Sequence, residues 1–359
     1  MSTCPQSSFT RRQILLSALA IPWPSAAFEP LYSDHNDLFY YLTDKGERRA
    51  VRSRRDFEIR RRHILAAMQE VMGPLPSAPP TKPRLETRAQ SDEGSYWRRQ
   101  VRFEAEPDDW VPAWLLVPKK PNGAAVLCLH QTTKFGKDEP AGVSGKSNLH
   151  YARELAERGF ITLAPDYPNF GEYRFDPYSR GYASATMKGI VNHRRGVDVL
   201  LNLGPVKPRR LGVCGHSLGG HNSLFVAAFD TRIQAVVTSC GFTAFPKYYG
   251  GDLTGWSHRG YMPRIAERYS KSPAKMPFDF PEILAIIAPR AIFINAPTQD
   301  SNFDRDGVED CVRAARPVFE RLYNRPDALV VEHPETGHDF PPAVRERAYR
   351  FLERFLLSR

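Results

Sequence analysis

Few features of this chain mark a metalloprotein, a disulfide scaffold or a membrane span. Five cysteines are scattered over 359 residues. Cys128 and Cys214 fall inside apolar runs, Cys240 ends another, Cys311 sits in a helical pattern, and Cys4 lies in the first few residues. None has metal-ligand spacing or a base motif beside it, so buried free thiols are expected instead of a disulfide framework. His35, His63, His150, His193, His221 and His258 form no H-E-x-x-H or paired ligand pattern, which argues against metal catalysis and for no metal in the site. Asn302 to Gly307 imitates the start of a calcium loop, but Arg313 stands at the twelfth position, where a bidentate glutamate is required. No internal repeat, low-complexity tract or run of transmembrane length is present.

Acidic residues are outnumbered, 40 against 50 basic ones, for a formal charge of +10. Outside the arginine-rich stretch 52–62 the basic residues are spread along the chain and accompany no nucleic-acid-binding motif, so no nucleic-acid partner is expected. The arginine run itself reads as a solvated helix face. Hydrophobic residues at 42% and aromatics at 11% suffice for a substantial core.

The N-terminus does carry a signal. Arg11-Arg12 precede a short apolar stretch, Pro22 and Pro24 break it, and Ser25-Ala26-Ala27 offers a small-residue cleavage site before Phe28. This describes a twin-arginine export signal over residues 1–27, a mature chain outside the cytoplasm (periplasmic or secreted), and no stable membrane anchor.

Residues 28–83 read as an N-terminal helical extension and linker, with helical spacing from Asp56 to Met72 and a proline-rich exit. The catalytic domain is expected over residues 84–359. It opens with hairpin-like strands near 84–88, 96–104 and 111–117. From residue 124 apolar strands alternate with helices, which predicts a mostly parallel sheet of about eight strands flanked by helices. Residues 241–280 interrupt this alternation with an aromatic-rich, lid-like insertion. Tyr248, Trp256 and Tyr261 are its candidate substrate-binding residues; equally, such aromatics could pack the insertion onto the body.

The most informative stretch is Leu211 to Gly220. An apolar strand leads into Gly215-His216-Ser217-Leu218-Gly219, and an apolar helix follows. This is the strand–turn–helix setting of a nucleophile elbow, whose turn is too tight for side chains two residues before and after the serine. Ser217 is therefore the candidate nucleophile, and the Leu218 N–H a candidate oxyanion donor. A serine hydroxyl needs a base, and in this architecture the acid and the histidine follow at the ends of later strands. Asp300 lies just beyond the strand 291–295, with Asp304 and Asp306 in the same loop. His338 lies in a polar loop after the last strand, with His333 nearer the strand end. Asp300 and His338 fit best, and Asp166 reads as a loop-ordering carboxylate. The loop after Leu129 should supply the second oxyanion donor, Gln131 with Thr132 as the alternative.

With these residues in view the chain resembles the α/β-hydrolase superfamily, in its acetylxylan-esterase-like and dienelactone-hydrolase-like branch. The resemblance rests on Leu129-His130-Gln131, Leu163 to Pro168, Gly215 to Gly219, Ala288-Pro289-Arg290, Asp300 to Phe303 and Gly337 to Phe340, and spans roughly residues 110–358. It implies an α/β-hydrolase fold and an exported serine esterase that needs no cofactor and takes a small-molecule or carbohydrate ester, acetylated plant polysaccharide among them. Three departures stand out. Dienelactone hydrolases carry a cysteine where Ser217 stands, and glucuronoyl esterases an arginine where Leu218 stands. Peptidases of the prolyl-oligopeptidase type add a propeller for which too few residues precede the hydrolase part. A peptidase or amidase with the same triad, and a catalytically silent carbohydrate-binding protein, are the competing readings.

Overall fold

A computed structural model of the protein describes residues 31–77 and 81–358. The export signal expected over residues 1–27 lies outside the described residues. The N-terminal part begins with a small hairpin, β1 (Tyr40–Leu42) and β2 (Arg48–Ala50), followed by helix α1 (Arg54–Met72). The extension is therefore not purely helical. Two three-residue strands carry too little alternation to be read from sequence. Helix α1 starts at a capping box in which Ser53 and Asp56 each satisfy the other's backbone N–H, a device worth about 1 kcal/mol.

The arginine run of α1 is not simply a solvated face. Arg60 is fully buried, its guanidinium 2.7 Å from Glu282 and 3.1 Å above the Tyr32 ring, while His35 bonds the other Glu282 oxygen at 2.8 Å. A buried charge survives only when paired and hydrogen-bonded, and Glu282 lies 222 positions away in sequence.

One nine-stranded sheet dominates the molecule, a strand more than the approximate eight expected. Strands β3 (Leu85–Asp92), β4 (Tyr96–Glu106) and β5 (Asp109–Pro118) form an antiparallel meander at one edge. Strand β3 is polar and exposed along almost its whole length, as suits an edge. The parallel part follows in chain order: β6 (Ala125–Leu129), helix α2 (Tyr151–Glu157), β7 (Ile161–Pro165), helix α3 (Ala185–Leu201), β8 (Leu211–His216) and helix α4 (Leu218–Phe229). Then come β9 (Ala235–Ser239), the short helix α5 (Arg264–Glu267), α6 (Phe280–Ile287), β10 (Ala291–Asn295), α7 (Arg305–Pro317), β11 (Leu329–Glu332) and α8 (Pro342–Leu357). The spatial order is β11-β10-β9-β8-β6-β7-β5-β4-β3. Every residue of β6 to β10 is buried, the pattern of strands covered on both faces.

Between β9 and α6 the chain folds into single helical turns and α5, held down by aromatics packed edge to face or tilted. Phe245, Trp256 and Phe280 meet with ring centroids 5.4–5.9 Å apart. Asp279 ties this region to the body: its carboxylate caps α6 and also accepts the Phe245 N–H at 3.1 Å. Among the described residues no helix is long and apolar enough to cross a membrane.

Candidate active site

Strand β8 delivers Ser217 to the carboxyl edge of the sheet, and α4 begins at the next residue. The turn forces Ser217 to φ 54°, ψ −116°, a conformation that costs a non-glycine residue of order 1–3 kcal/mol. The surrounding structure holds it there. Its N–H donates to the Ser239 carbonyl at 2.8 Å, and its own carbonyl accepts from Gly220 and His221. The flanking glycines are obligatory for want of space. A Cβ on Gly215 would lie 2.1 Å from the Gly219 carbonyl oxygen, and one on Gly219 would lie 1.8 Å from the Leu129 carbonyl oxygen.

His338, in the loop after β11, reaches the same rim. Its Nδ1 stands 2.9 Å from both carboxylate oxygens of Asp300, whose side chain is almost wholly buried. Asp300 also accepts the N–H groups of Asn302 and Phe303, so its orientation is locked from its own loop. A carboxylate is acceptor-only, so Nδ1 carries the proton and Nε2 is left as the basic nitrogen. Asp304 instead caps α7, accepting the Gly307 N–H at 2.8 Å. His333 is spent on the Ala296 carbonyl and Glu309. Ser217 and His338 line one cleft of about 240 Å³. Among the described residues the Ser217 hydroxyl makes no hydrogen bond, to His338 or to any other group; such contacts commonly tighten only in the substrate complex.

Gln131, Thr132 and Leu218 line the same cleft as His338. The Leu218 N–H, in the first turn of α4, has no partner among the described residues, as expected of a helix N-terminus. Gln131 turns its side-chain amide away to donate to Glu139 at 2.9 Å. His130 fixes the backbone here. Its Nε2 accepts the Tyr167 N–H at 2.9 Å, so its proton must sit on Nδ1, which donates to the Gln131 carbonyl at 2.7 Å. Burial pushes the His130 pKa down, which keeps this tautomer neutral. Asp166 is buried and accepts the Lys137 and Glu172 N–H groups, ordering the neighbouring loops.

Tyr248, Trp256 and Tyr261 line the cleft, and Tyr261 bonds Thr132 at 2.7 Å. They serve packing as well: Trp256 is 2% exposed and lies against His221, Phe245 and Phe280.

Several residues that position the site carried no sequence signal. Asn295, at the end of β10, donates to the Ser239 hydroxyl at 2.8 Å and to the Asp339 carbonyl at 2.9 Å. Asn148 holds the Asp339 carboxylate at 2.7 Å, and Arg345 donates to Asn148 and to the Phe340 carbonyl. Together they pin the loop bearing His338 from both sides. His216 packs beside His338 with ring centroids 4.8 Å apart. Burial, then the neighbouring His338, hold its pKa well below the usual histidine range, so it adds no charge beside the imidazole. His216, Cys240 and His338 bring ligand-type atoms within 4.8 Å of one another. One nitrogen of each histidine is engaged, His216 Nδ1 with Ser239 and His338 Nδ1 with Asp300, while the buried His216 Nε2 has no partner among the described residues; burial keeps the Cys240 thiol protonated beside the Asp339 carbonyl.

Residues 146–358, more than half of the chain, match the prolyl oligopeptidase family. The chain belongs to that family. The proposed hydrolase YtaP of Bacillus subtilis is 26% identical over 266 residues, covering 68% of this chain and 84% of that protein. Among solved structures, a glucuronoyl esterase from Solibacter usitatus superposes with a TM-score of 0.69 at 18% identity, covering 89% of this chain and 97% of that one. BF1801 of Bacteroides fragilis, a proposed acetyl xylan esterase, superposes at 0.59 and 19% identity over 83% of this chain and 86% of that one. At these identities the structures establish the α/β-hydrolase fold. Family and fold together support a serine hydrolase.

Proposed function

We propose that the protein is an exported serine esterase that removes small uncharged acyl groups, acetyl foremost, from carbohydrate. Ser217 attacks the acyl carbonyl while His338 Nε2 takes its proton, and Asp300 holds the imidazole's tautomer and stabilises the imidazolium. The N–H groups of Leu218 and Gln131, with Thr132 the alternative to Gln131, receive the oxyanion; one such donor is worth about 2.7–4 kcal/mol in the transition state. His338 then protonates the leaving alcohol, and water repeats the cycle on the acyl-enzyme.

The observation that carries this reading is the Asp300–His338 pair and the strained Ser217 opening on one cleft. Among the described residues its lining contains no Lys, Arg, Asp or Glu. A carboxylate-bearing acyl group would find no cation there, since Leu218 is buried against Tyr167 and Ala185. An acetyl group needs none. Tyr261, only half-buried at the cleft, offers a ring of the kind sugars pack on. The family match favours a second reading, an amidase or peptidase with the same three residues.

Hydrolysis of p-nitrophenyl acetate, acetylated xylo-oligosaccharides and an aminoacyl p-nitroanilide separates the two. The esters should turn over far faster than the anilide, and Ser217→Ala should lower kcat by about 10⁶-fold. Amide turnover above ester turnover would establish the peptidase reading, and an active Ser217→Ala enzyme would end both. Export by the twin-arginine signal predicts a periplasmic or secreted form whose N-terminal sequence begins near Phe28.

A further inference from the structure

At the opposite end of the sheet from Ser217 lies a second cavity, of about 650 Å³, a size common among small-molecule sites. It is bordered by Arg209, Gln234 and Ala291, at or just before the first residues of β8, β9 and β10. The length of β8, about 20 Å at 3.3 Å per residue, separates it from the nucleophile. Among the described residues four arginines line it (Arg209, Arg232, Arg290 and Arg325), and no acidic residue does.

Two of these charges are neutralised from behind. Arg232 is bonded to Asp230 and Asp198, and Arg325 to Asp327 at 3.4 Å. The other two are not. Arg290 donates only to carbonyl oxygens, those of Ile287, Ala227, Asp230 and Ile233, which fix its position without cancelling its charge. Burial and the nearby Arg61 lower its pKa to about 10, so it remains a cation held in an unfavourable place. Arg209 is exposed and has no hydrogen-bond or ion-pair partner among the described residues. Apolar groups, including Val206, Pro208 and Phe355, complete the wall. Asp230, already paired with Arg232, partly offsets the Arg290 charge but forms no ion pair with it. A positioned, partly desolvated guanidinium without an ion pair of its own is costly, and an anion in the cavity would reduce that cost.

We propose that this cavity binds a small amphipathic carboxylate, its carboxylate held by Arg209 and Arg290 and its apolar body against Phe355 and the proline wall. Guanidinium pairs suit a planar carboxylate, and the apolar lining requires more than a bare anion. The site does not depend on the catalytic reading, because none of its residues borders the catalytic cleft.

Calorimetric titration of the full chain at low salt tests this, with trans-cinnamate as probe, cinnamyl alcohol as its uncharged counterpart and inorganic phosphate as the bare anion. Cinnamate should bind saturably, and both controls at least about tenfold more weakly. Arg209→Asn should weaken cinnamate binding about tenfold. Arg209 sits at φ 64°, a region asparagine enters readily, so an unchanged melting temperature is expected and confirms the fold. Saturable cinnamate binding that Arg209→Asn leaves unaltered, phosphate binding as tight as cinnamate, or no saturable binding of cinnamate would each overturn the proposal.

Discussion

The two ends of the central strands make opposite use of charge. At the carboxyl end, the cleft over Ser217 is lined by neutral groups, and its single ion-pair-forming side chain, His338, is committed to Asp300. At the amino end, four arginines surround a cavity that no carboxylate among the described residues lines. The difference follows from what each end has to work with. Backbone N–H groups at the start of α4, a strained serine and a tethered imidazole can stabilise charge that appears only during a reaction, so standing charge is not needed there. The amino end has no such machinery, and its permanent guanidiniums suit a ligand that arrives already charged.

The contrast is sharpest at the acid of the carboxyl-end cleft. Asp300→Asn should lower kcat about 10⁴-fold with the fold intact, because an amide no longer dictates which nitrogen of His338 carries the proton. Asp304→Ala, four residues away, should leave kcat near that of the parent and cost about 1 kcal/mol of stability through loss of the α7 cap. Steady-state kinetics and thermal melts on the two variants distinguish the roles, and equal losses of activity would refute the assignment.

Space at the elbow yields the next largest effect. Gly219→Ala places a Cβ 1.8 Å from the Leu129 carbonyl oxygen, a backbone clash that no rotamer relieves. A loss above about 4 kcal/mol, read as insoluble or unfolded protein, is expected. A soluble, active variant would show that the turn is looser than described.

A smaller effect separates the ends by pH. Buried neutral imidazoles gather towards the carboxyl end, with the pKa values of His193 and His221 pushed down to about 3 by burial. The unfolded chain, with histidine pKa near 6.5, therefore binds more protons than the folded one below that pH. Their stabilisation is complete above about pH 6.5 and is lost as the pH falls. Between pH 7 and pH 5 each should forfeit on the order of 2 kcal/mol. Urea unfolding at the two pH values measures the loss, and His221→Gln should remove its share of the slope. A pH-independent midpoint would contradict the burial of these rings.

Not every part of this arrangement was legible in the chain. The elbow was, because steric exclusion writes glycine at positions 215 and 219 and a strand and helix must flank them. The alternation from β6 onwards was legible for the same kind of reason: strands covered on both faces are apolar throughout. Sequence favoured Asp300 over Asp304 only by its greater distance from the helix that follows, since both come after β10, and only a partner 38 residues on shows which of them meets His338 and which caps α7. The pinning of the His338 loop by Asn148, Asn295 and Arg345 left no local pattern, because each contact joins distant segments. Arg60 misled for a related reason: within α1 it looks like its solvated neighbours, and only the packing of α6 turns it into a buried partner of Glu282. The arginine cavity gathers its residues from separate connections, and no window of sequence contains it.

The central claim, that Ser217 is the nucleophile of an acyl-transfer site served by His338, is tested most directly by covalent labelling. The protein would be treated with a fluorophosphonate and the modified peptide identified by mass spectrometry. One adduct per chain on the peptide containing Ser217, formed slowly or not at all in His338→Ala, is the predicted result. An adduct on another residue, or undiminished labelling without His338, would contradict the account.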